Sequence, residues 1–161
     1  MNEAGTIPAV LVVEYGSPTF RISIVRRLMG ELEKREIQAE VLARESYVGA
    51  IEVVDTRKVI TISTSLEIPY DERSKDISPA VGSLEHKFYE EDEARGIGLV
   101  KRIQPLRLPT IIFTHHPPEL IRTMLKDFPK DRIIKKSTLA ENTNAWIAAM
   151  LEAITCGMCK V

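Results

Sequence analysis

Strand-length apolar runs that alternate with helix-period segments most strongly limit what this chain can fold into. Pro8 to Glu14 (PAVLVVE) is a continuous apolar run, and Tyr15-Gly-Ser-Pro-Thr leads from it into Val25, Leu28, Met29 and Leu32 at helical spacing. Gln38 to Ala43 reads as a second strand, Tyr47 to Val54 as a short helix carrying Val48 and Ile51, and Lys58 to Ser63 as a third strand. Asp55-Thr-Arg could equally turn a hairpin. Thr110 to Phe113 is the next strand. Glu119 to Phe128 is a helix with Leu120, Ile121, Met124, Leu125 and Phe128 on one face, and Arg132 to Lys135 is a last short strand. A final helix opens at the capping box Thr138-Leu-Ala-Glu141 and buries Leu139, Trp146, Ile147, Met150, Leu151 and Ile154. Alternation of this kind implies right-handed crossovers and a sheet covered on both faces. The expected fold is a three-layer α/β/α sandwich with a mostly parallel sheet of about five strands.

At 161 residues and 44% hydrophobic content the chain can bury one core, so residues 1–161 read as a single domain. The exception to the regular pattern is an insertion at about 67–98, which holds Pro69, Pro79 and Gly82 and an acidic helix-like segment with Leu84, His86 and Phe88. A connection that long is a lid, a binding loop or a partner surface, or else a solvated helix packed by Leu84 and Phe88. The 22 basic and 23 acidic residues are interspersed and the net charge is -1, which gives no footprint for nucleic acid or an anionic membrane. No apolar stretch reaches the roughly 20 residues that span a bilayer, and Met1-Asn-Glu-Ala-Gly is not a signal peptide, so a cytoplasmic location is expected. Charged residues at 28% beside only Gln38 and Gln104 lean toward a thermophilic source.

In a parallel sheet the strand C-terminal ends share one edge, where ligands bind. That edge would display Glu14, Tyr15, Gly16, Ser17 and Thr19, then Thr64, Ser65 and Glu67, then Thr114, His115 and His116. His115 and His116 stand between an apolar strand and a helix opened by Pro117-Pro118. Imidazoles so placed can ligate a metal, move a proton or bind an anion. Successive strand residues point to opposite faces, so only one need enter the cleft, and a structural hydrogen bond is the plainer role. Gly16, Ser17, Thr19, Arg21, Thr64, Ser65 and Thr114 are the candidate anion-binding residues, with Ser17 and Thr19 also suited to capping the helix and Gly16 to making the turn. Gly16 to Ser23 lacks the second Gly and the Lys of a Walker A loop, and neither GxGxxG nor GxSxG occurs, which removes ordinary NTP hydrolysis, Rossmann dehydrogenase and α/β-hydrolase chemistry.

Cys156-Gly-Met-Cys159, in a short tail at 156–161, is a second chemical motif. Two thiolates at this spacing supply half of a zinc site, which a homodimer or another partner would complete, or they cycle as a disulfide, or they are incidental. A divalent transition metal is thus the cofactor to consider, at Cys156 and Cys159 or alternatively at His115 and His116.

Gly16-Ser-Pro after a strand, the turn Glu45-Ser-Tyr-Val-Gly-Ala50, Gly98 to Pro109 and then Thr114-His-His together resemble the hydrogenase maturation endopeptidases over most of the chain. The resemblance implies an α/β/α fold and removal of a C-terminal extension from a nickel hydrogenase subunit, with His115 or His116 matching that family's metal-binding histidine. The chain departs from the pattern at two of three ligand positions. Ser17-Pro-Thr-Phe-Arg21 carries no carboxylate, and Ser63-Thr-Ser65 stands where an Asp is expected. The resemblance therefore implies the fold and an accessory role more than proteolysis.

Two functions follow as expectations. One is binding or conversion of a small anionic, phosphate-bearing ligand at the strand edge, with His115 or His116 as general acid or base. The other is a non-catalytic accessory or metal-handling role related to hydrogenase maturation, exercised through a protein partner and the CxxC tail.

Overall fold

The computed structural model describes residues 6–71, 95–136 and 140–159, with the side chains of residues 140 and 141 left aside. Five parallel strands form one sheet in the order β2-β1-β3-β4-β5: β1 Ala9–Val13, β2 Glu40–Arg44, β3 Val59–Thr64, β4 Thr110–Thr114 and β5 Ile133–Lys135. The helices are α1 Pro18–Lys34, α2 Tyr47–Thr56, α3 over 95–103, α4 Pro118–Met124 and α5 Ala140–Met158. The expected three-layer α/β/α sandwich with a five-stranded sheet is the fold found. β2 and β3 flank β1 in parallel, so Asp55-Thr-Arg ends α2 and makes no hairpin.

β1 is central, and every one of its five residues is buried. Strand alternation divides them between two cores. Val10 and Val12 pack with Ile24, Leu28, Phe113, Trp146 and Met150 on the α1/α5 side. Leu11 and Val13 pack with Ala50, Val53, Ile62, Leu99 and Ile103 on the α2/α3 side. A third cluster, including Ile97, Ile112, Ile121 and Phe128, lies under α3 and α4. The polar residues of β3 are buried because α5 pairs with them. Thr61 Oγ1 donates to the Ala153 carbonyl at 3.1 Å, and Trp146 Nε1 donates to Ser63 Oγ at 2.8 Å. No buried side-chain polar atom among the described residues lacks a partner, as a close-packed interior requires.

Ser17 caps α1 by accepting from the Phe20 N–H, and Pro18 supplies the rigid first turn. The inward stripe of α1 is Ile24, Leu28 and Leu32, with Val25 half-buried against the same core, so of the expected Val25, Leu28, Met29 and Leu32 only Met29, 50% exposed, is corrected. Met29 lies about 100° around the helix from Leu28, at the edge of the stripe that the sheet covers. Helix α2 buries Gly49, Ala50 and Val53, while Val48 faces out. Helix α4 stops at Met124, four residues short of the expected end. Ile121 is buried from the helix, and Leu125 and Phe128 are buried from the turns that follow it, whereas Leu120 and Met124 are exposed. Most of the 67–98 insertion, with His86, Leu84 and Phe88, lies outside the described residues, as does the capping box at Thr138.

Candidate functional site

The order 2-1-3-4-5 reverses direction between β1 and β3, and the carboxyl ends of these two strands bound an open cleft of about 290 Å³. Tyr15 and Gly16 line it from β1, Ser65 to Glu67 from β3, Thr114 and His115 from β4, and Lys136 from the end of β5. Gly16 makes the turn out of β1 at φ +112°.

Lys136 is the centre of the cleft. Its backbone N–H extends β5 pairing by donating to the Thr114 carbonyl at 2.7 Å, which aims the side chain back across the strand ends. The ammonium lies over the rings of Phe113 and Phe20, at 5.3 and 5.5 Å from their centroids. It ends between two acceptors, the Glu14 carboxylate and Ser65 Oγ, the latter at 3.0 Å. Glu14 is buried and the Lys136 side chain is only 13% exposed. A cation and a carboxylate taken this far from water persist only as a pair with their remaining hydrogen-bonding capacity met, and Ser65 meets part of it.

The loop that carries Ser65 is held from several sides. The Ser65 N–H donates to the Val13 carbonyl, and Thr64 Oγ1 donates to the Ser65 carbonyl at 2.8 Å. Gly96, in the first turn of α3, rests directly on it: a Cβ there would stand 2.4 Å from Leu66 Cα and from the Ser65 carbonyl oxygen. Further along, the carbonyls of Pro69 and Tyr70 accept from the first two N–H groups of α2, Tyr47 and Val48, at 2.9 and 2.8 Å. Tyr47 and Tyr70 stack at 6.0 Å, and the Arg95 guanidinium lies over Tyr70. A displacement at Ser65 therefore reaches both α2 and α3 through covalent and hydrogen-bonded links.

The structure brings some of the expected site residues together at the strand ends and leaves others apart. Gly16, Ser65, Thr114 and His115 line the cleft. Thr64 is buried beside it, Ser17 caps α1, and Thr19 is exposed on the first turn of α1. Arg21 turns away, pairing with Glu45 at 2.9 Å and donating to the Glu14 carbonyl. His115 Nδ1 lies 3.1 Å from the Lys136 carbonyl, which can only accept, so that nitrogen carries its proton there. His116 is aimed at Glu67, with Nε2 3.0 Å from Oε1, and its backbone N–H donates to Thr114 Oγ1. Both histidines thus make the structural hydrogen bonds that were the plainer expectation. Lys136 was missed. Its signal is a lysine immediately after the last apolar strand, at the same edge as Glu14.

Cys156 and Cys159 are free thiols at the other end of the molecule, where Gly157 abuts the Ile60 carbonyl near the start of β3. Among the described residues no group of three or more His, Cys, Asp or Glu could hold a metal ion. No helix among them is long and apolar enough to cross a membrane.

Similar solved structures share this fold. The signal receiver domain of an HD domain-containing protein from Pseudomonas fluorescens Pf-5 matches with a TM-score of 0.60 at 14% identity, over 94% of this chain and 98% of that one. The receiver domain of the Erythrobacter litoralis PhyR response regulator matches at 0.59 and 15%, over 94% and 93%. The non-phosphorylated receiver domain of the stress response regulator RcsB from Escherichia coli matches at 0.55 and 16%, over 95% of both chains. No family model matches the chain, and no curated protein matches it by sequence.

These likenesses overturn the resemblance to hydrogenase maturation endopeptidases, whose short matched words mark turns that any doubly wound sheet needs. They also overturn both functional expectations. Conversion of a small anion fails on the geometry as well, since Arg21 is turned to Glu45 and the cation lining the cleft, Lys136, is already neutralised by Glu14. Metal handling through the CxxC tail is overturned by the same likenesses, and the tail lies away from the cleft. What the chain shares with these structures is the five-stranded parallel receiver fold.

Proposed function

We propose that this chain is a signal-receiver module that works in the cytoplasm through protein partners, and that its strand-end cleft is a switch centre held by an internal ion pair. The observation that carries this reading is Lys136, seated between Glu14 and Ser65 where β1, β3 and β5 end together. A phosphoryl group transferred to a receiver needs a nucleophilic carboxylate. Ser65, on the loop after β3, offers a hydroxyl, the Glu14 carboxylate is buried against the ammonium, and the Glu67 carboxylate is engaged by the His116 ring. The switch is therefore set by partner binding and not by formation of an acyl phosphate. Loosening Lys136 frees the Ser65 loop, which shifts the Pro69 and Tyr70 carbonyls that cap α2 and the segment beneath Gly96 of α3. Binding partners that favour one arrangement shift the population toward it by their differential affinity.

The test is crosslinking in the cells that express the protein, with the intact chain and its Lys136→Met variant as paired baits. The reading expects a sensor kinase or an output effector among the captured proteins, with capture altered at least severalfold by the substitution. Equal capture by both baits, or capture confined to proteins outside signalling, contradicts it.

A further inference from the structure

Cys156 and Cys159 flank the last turn of α5, at the end of the molecule away from the strand-end cleft. Cys159 lies one residue past the helix, but its N–H still donates to the Thr155 carbonyl at 3.2 Å, so the helical course holds through both thiols. Residues three apart on such a course have Cα atoms about 5 Å apart, inside the range of roughly 4.4–6.8 Å that a disulfide spans. Tightening one turn toward a 3₁₀ course brings residues three apart into register, a change common at helix ends. Gly157 fixes this turn against the sheet: a Cβ there would stand 2.2 Å from the Ile60 carbonyl oxygen. One turn earlier, the Ala153 carbonyl accepts from Thr61 Oγ1. Cys159 is exposed and Cys156 half-buried, so Cys159 is the thiol that solutes meet first.

A second, smaller cleft of about 270 Å³ opens at this end, walled by the start of β3, the turn before β4 and Gly157 itself. The titratable groups in its lining are Lys58 and Arg107, both cations. Lys58 is half-buried and makes no ion pair among the described residues. A concave site lined by one sign of charge draws an occupant of the other. We infer that Cys156 and Cys159 form a reversible dithiol–disulfide site, and that the adjoining cleft receives its oxidant, a small anionic disulfide of the glutathione type. The Cys159 thiolate attacks one sulfur of that disulfide, forming a mixed disulfide and releasing one small thiol. The Cys156 thiolate then attacks the Cys159 sulfur, which closes the ring and releases the second small thiol. Two protein thiols lose two electrons and two protons, and the small disulfide takes them up as two thiols. An exposed disulfide of this kind is labile, so an excess of small thiol runs the exchange backward. The exchange needs no metal and stands apart from the signalling role of the strand-end cleft.

The test incubates the reduced full chain with glutathione disulfide in the absence of oxygen, quenches by alkylation and reads the intact mass. A product two hydrogens lighter than the parent is expected, with no alkylated thiol and no covalent dimer. Cys156→Ser should stop at one glutathionyl group, carried on Cys159. Lys58→Gln should slow the reaction with glutathione disulfide at least about threefold and leave that with neutral hydroxyethyl disulfide within about twofold. That contrast should vanish when the chain is unfolded in urea. Arg107→Asn, whose side chain suits the positive φ of 54° there, should act in the same direction. Thiols that both stay alkylatable, two glutathionyl groups on one chain, or a covalent dimer overturn the inference. So does a Lys58→Gln variant that reacts like the parent, that slows equally with both reagents, or whose contrast persists in urea.

Discussion

Lys136→Met removes the ammonium while keeping an unbranched chain over Phe20 and Phe113. The Glu14 carboxylate is left buried at 3% exposure with its cation gone. Breaking a buried pair from one side costs about 3–5 kcal/mol, because the remaining charge is uncompensated. Loss of the bond to Ser65 adds about 1 kcal/mol, and loss of the cation over two rings adds about 0.5–1 kcal/mol. The apolar packing of Met and inward relaxation of water offset part of this, so about 3–4 kcal/mol is expected overall, a fall of about 6–16 °C in Tm for a domain of this size. Glu14→Gln keeps an acceptor for Lys136 and should cost less, about 1.5–3 kcal/mol. The double variant has no charge in the site, so its loss should fall short of the summed single losses by at least about 1.5 kcal/mol, the coupling expected for groups in direct contact. Urea denaturation of the four proteins at one pH and salt concentration, fitted with a common m-value, reads this out. Additive losses, or a Lys136→Met loss below about 1 kcal/mol, would refute the claim that the pair is buried and coupled.

Two further perturbations probe the supports of the cleft. Gly96→Ala forces a methyl group to within 2.4 Å of the Ser65–Leu66 backbone. It should cost about 1–3 kcal/mol as an overpacked contact and shift the amide resonances of Ser65, Leu66 and Tyr47, which heteronuclear NMR would record. Trp146→Phe deletes the indole N–H that donates to buried Ser63 Oγ and trims the ring stacked on Phe113 at 5.6 Å. A loss of about 2–4 kcal/mol is expected, and Trp146→Phe paired with Ser63→Ala should recover about 1 kcal/mol of it in thermal denaturation.

The layers were legible because their signal is local. PAVLVVE and TIIF are apolar on both faces, as strands buried between two helix layers must be, and Gly16-Ser-Pro marks a helix start by turn and cap chemistry. The outward turn of Met29 on α1 and the length of α4 were not legible. In both helices more apolar residues satisfy the period than the sheet can cover, and which stripe turns inward is decided by packing against strands far away in sequence. The site divides in the same way. Gly16, Ser65, Thr114 and His115 could be placed because each directly follows or ends a recognisable strand. The Glu14–Lys136 pair spans 122 positions and is created by the strand order, in which β1 and β5 are separated by β3 and β4. Arg21 misled for a related reason. It sits at the right end of α1, but Glu45 at the end of β2 draws it away from the cleft.

Lys136 is already paired with Glu14 inside the cleft, and on the proposed reading the cleft takes no phosphoryl group. Incubation of the intact chain with acetyl phosphate and magnesium, followed at once by intact-mass spectrometry, tests that claim most directly, with a signal receiver carrying a cleft aspartate run alongside as a positive control. The account predicts the unmodified mass for this chain under conditions that phosphorylate the control. A phosphoryl adduct that maps to Glu14, Ser65 or Glu67 would contradict it.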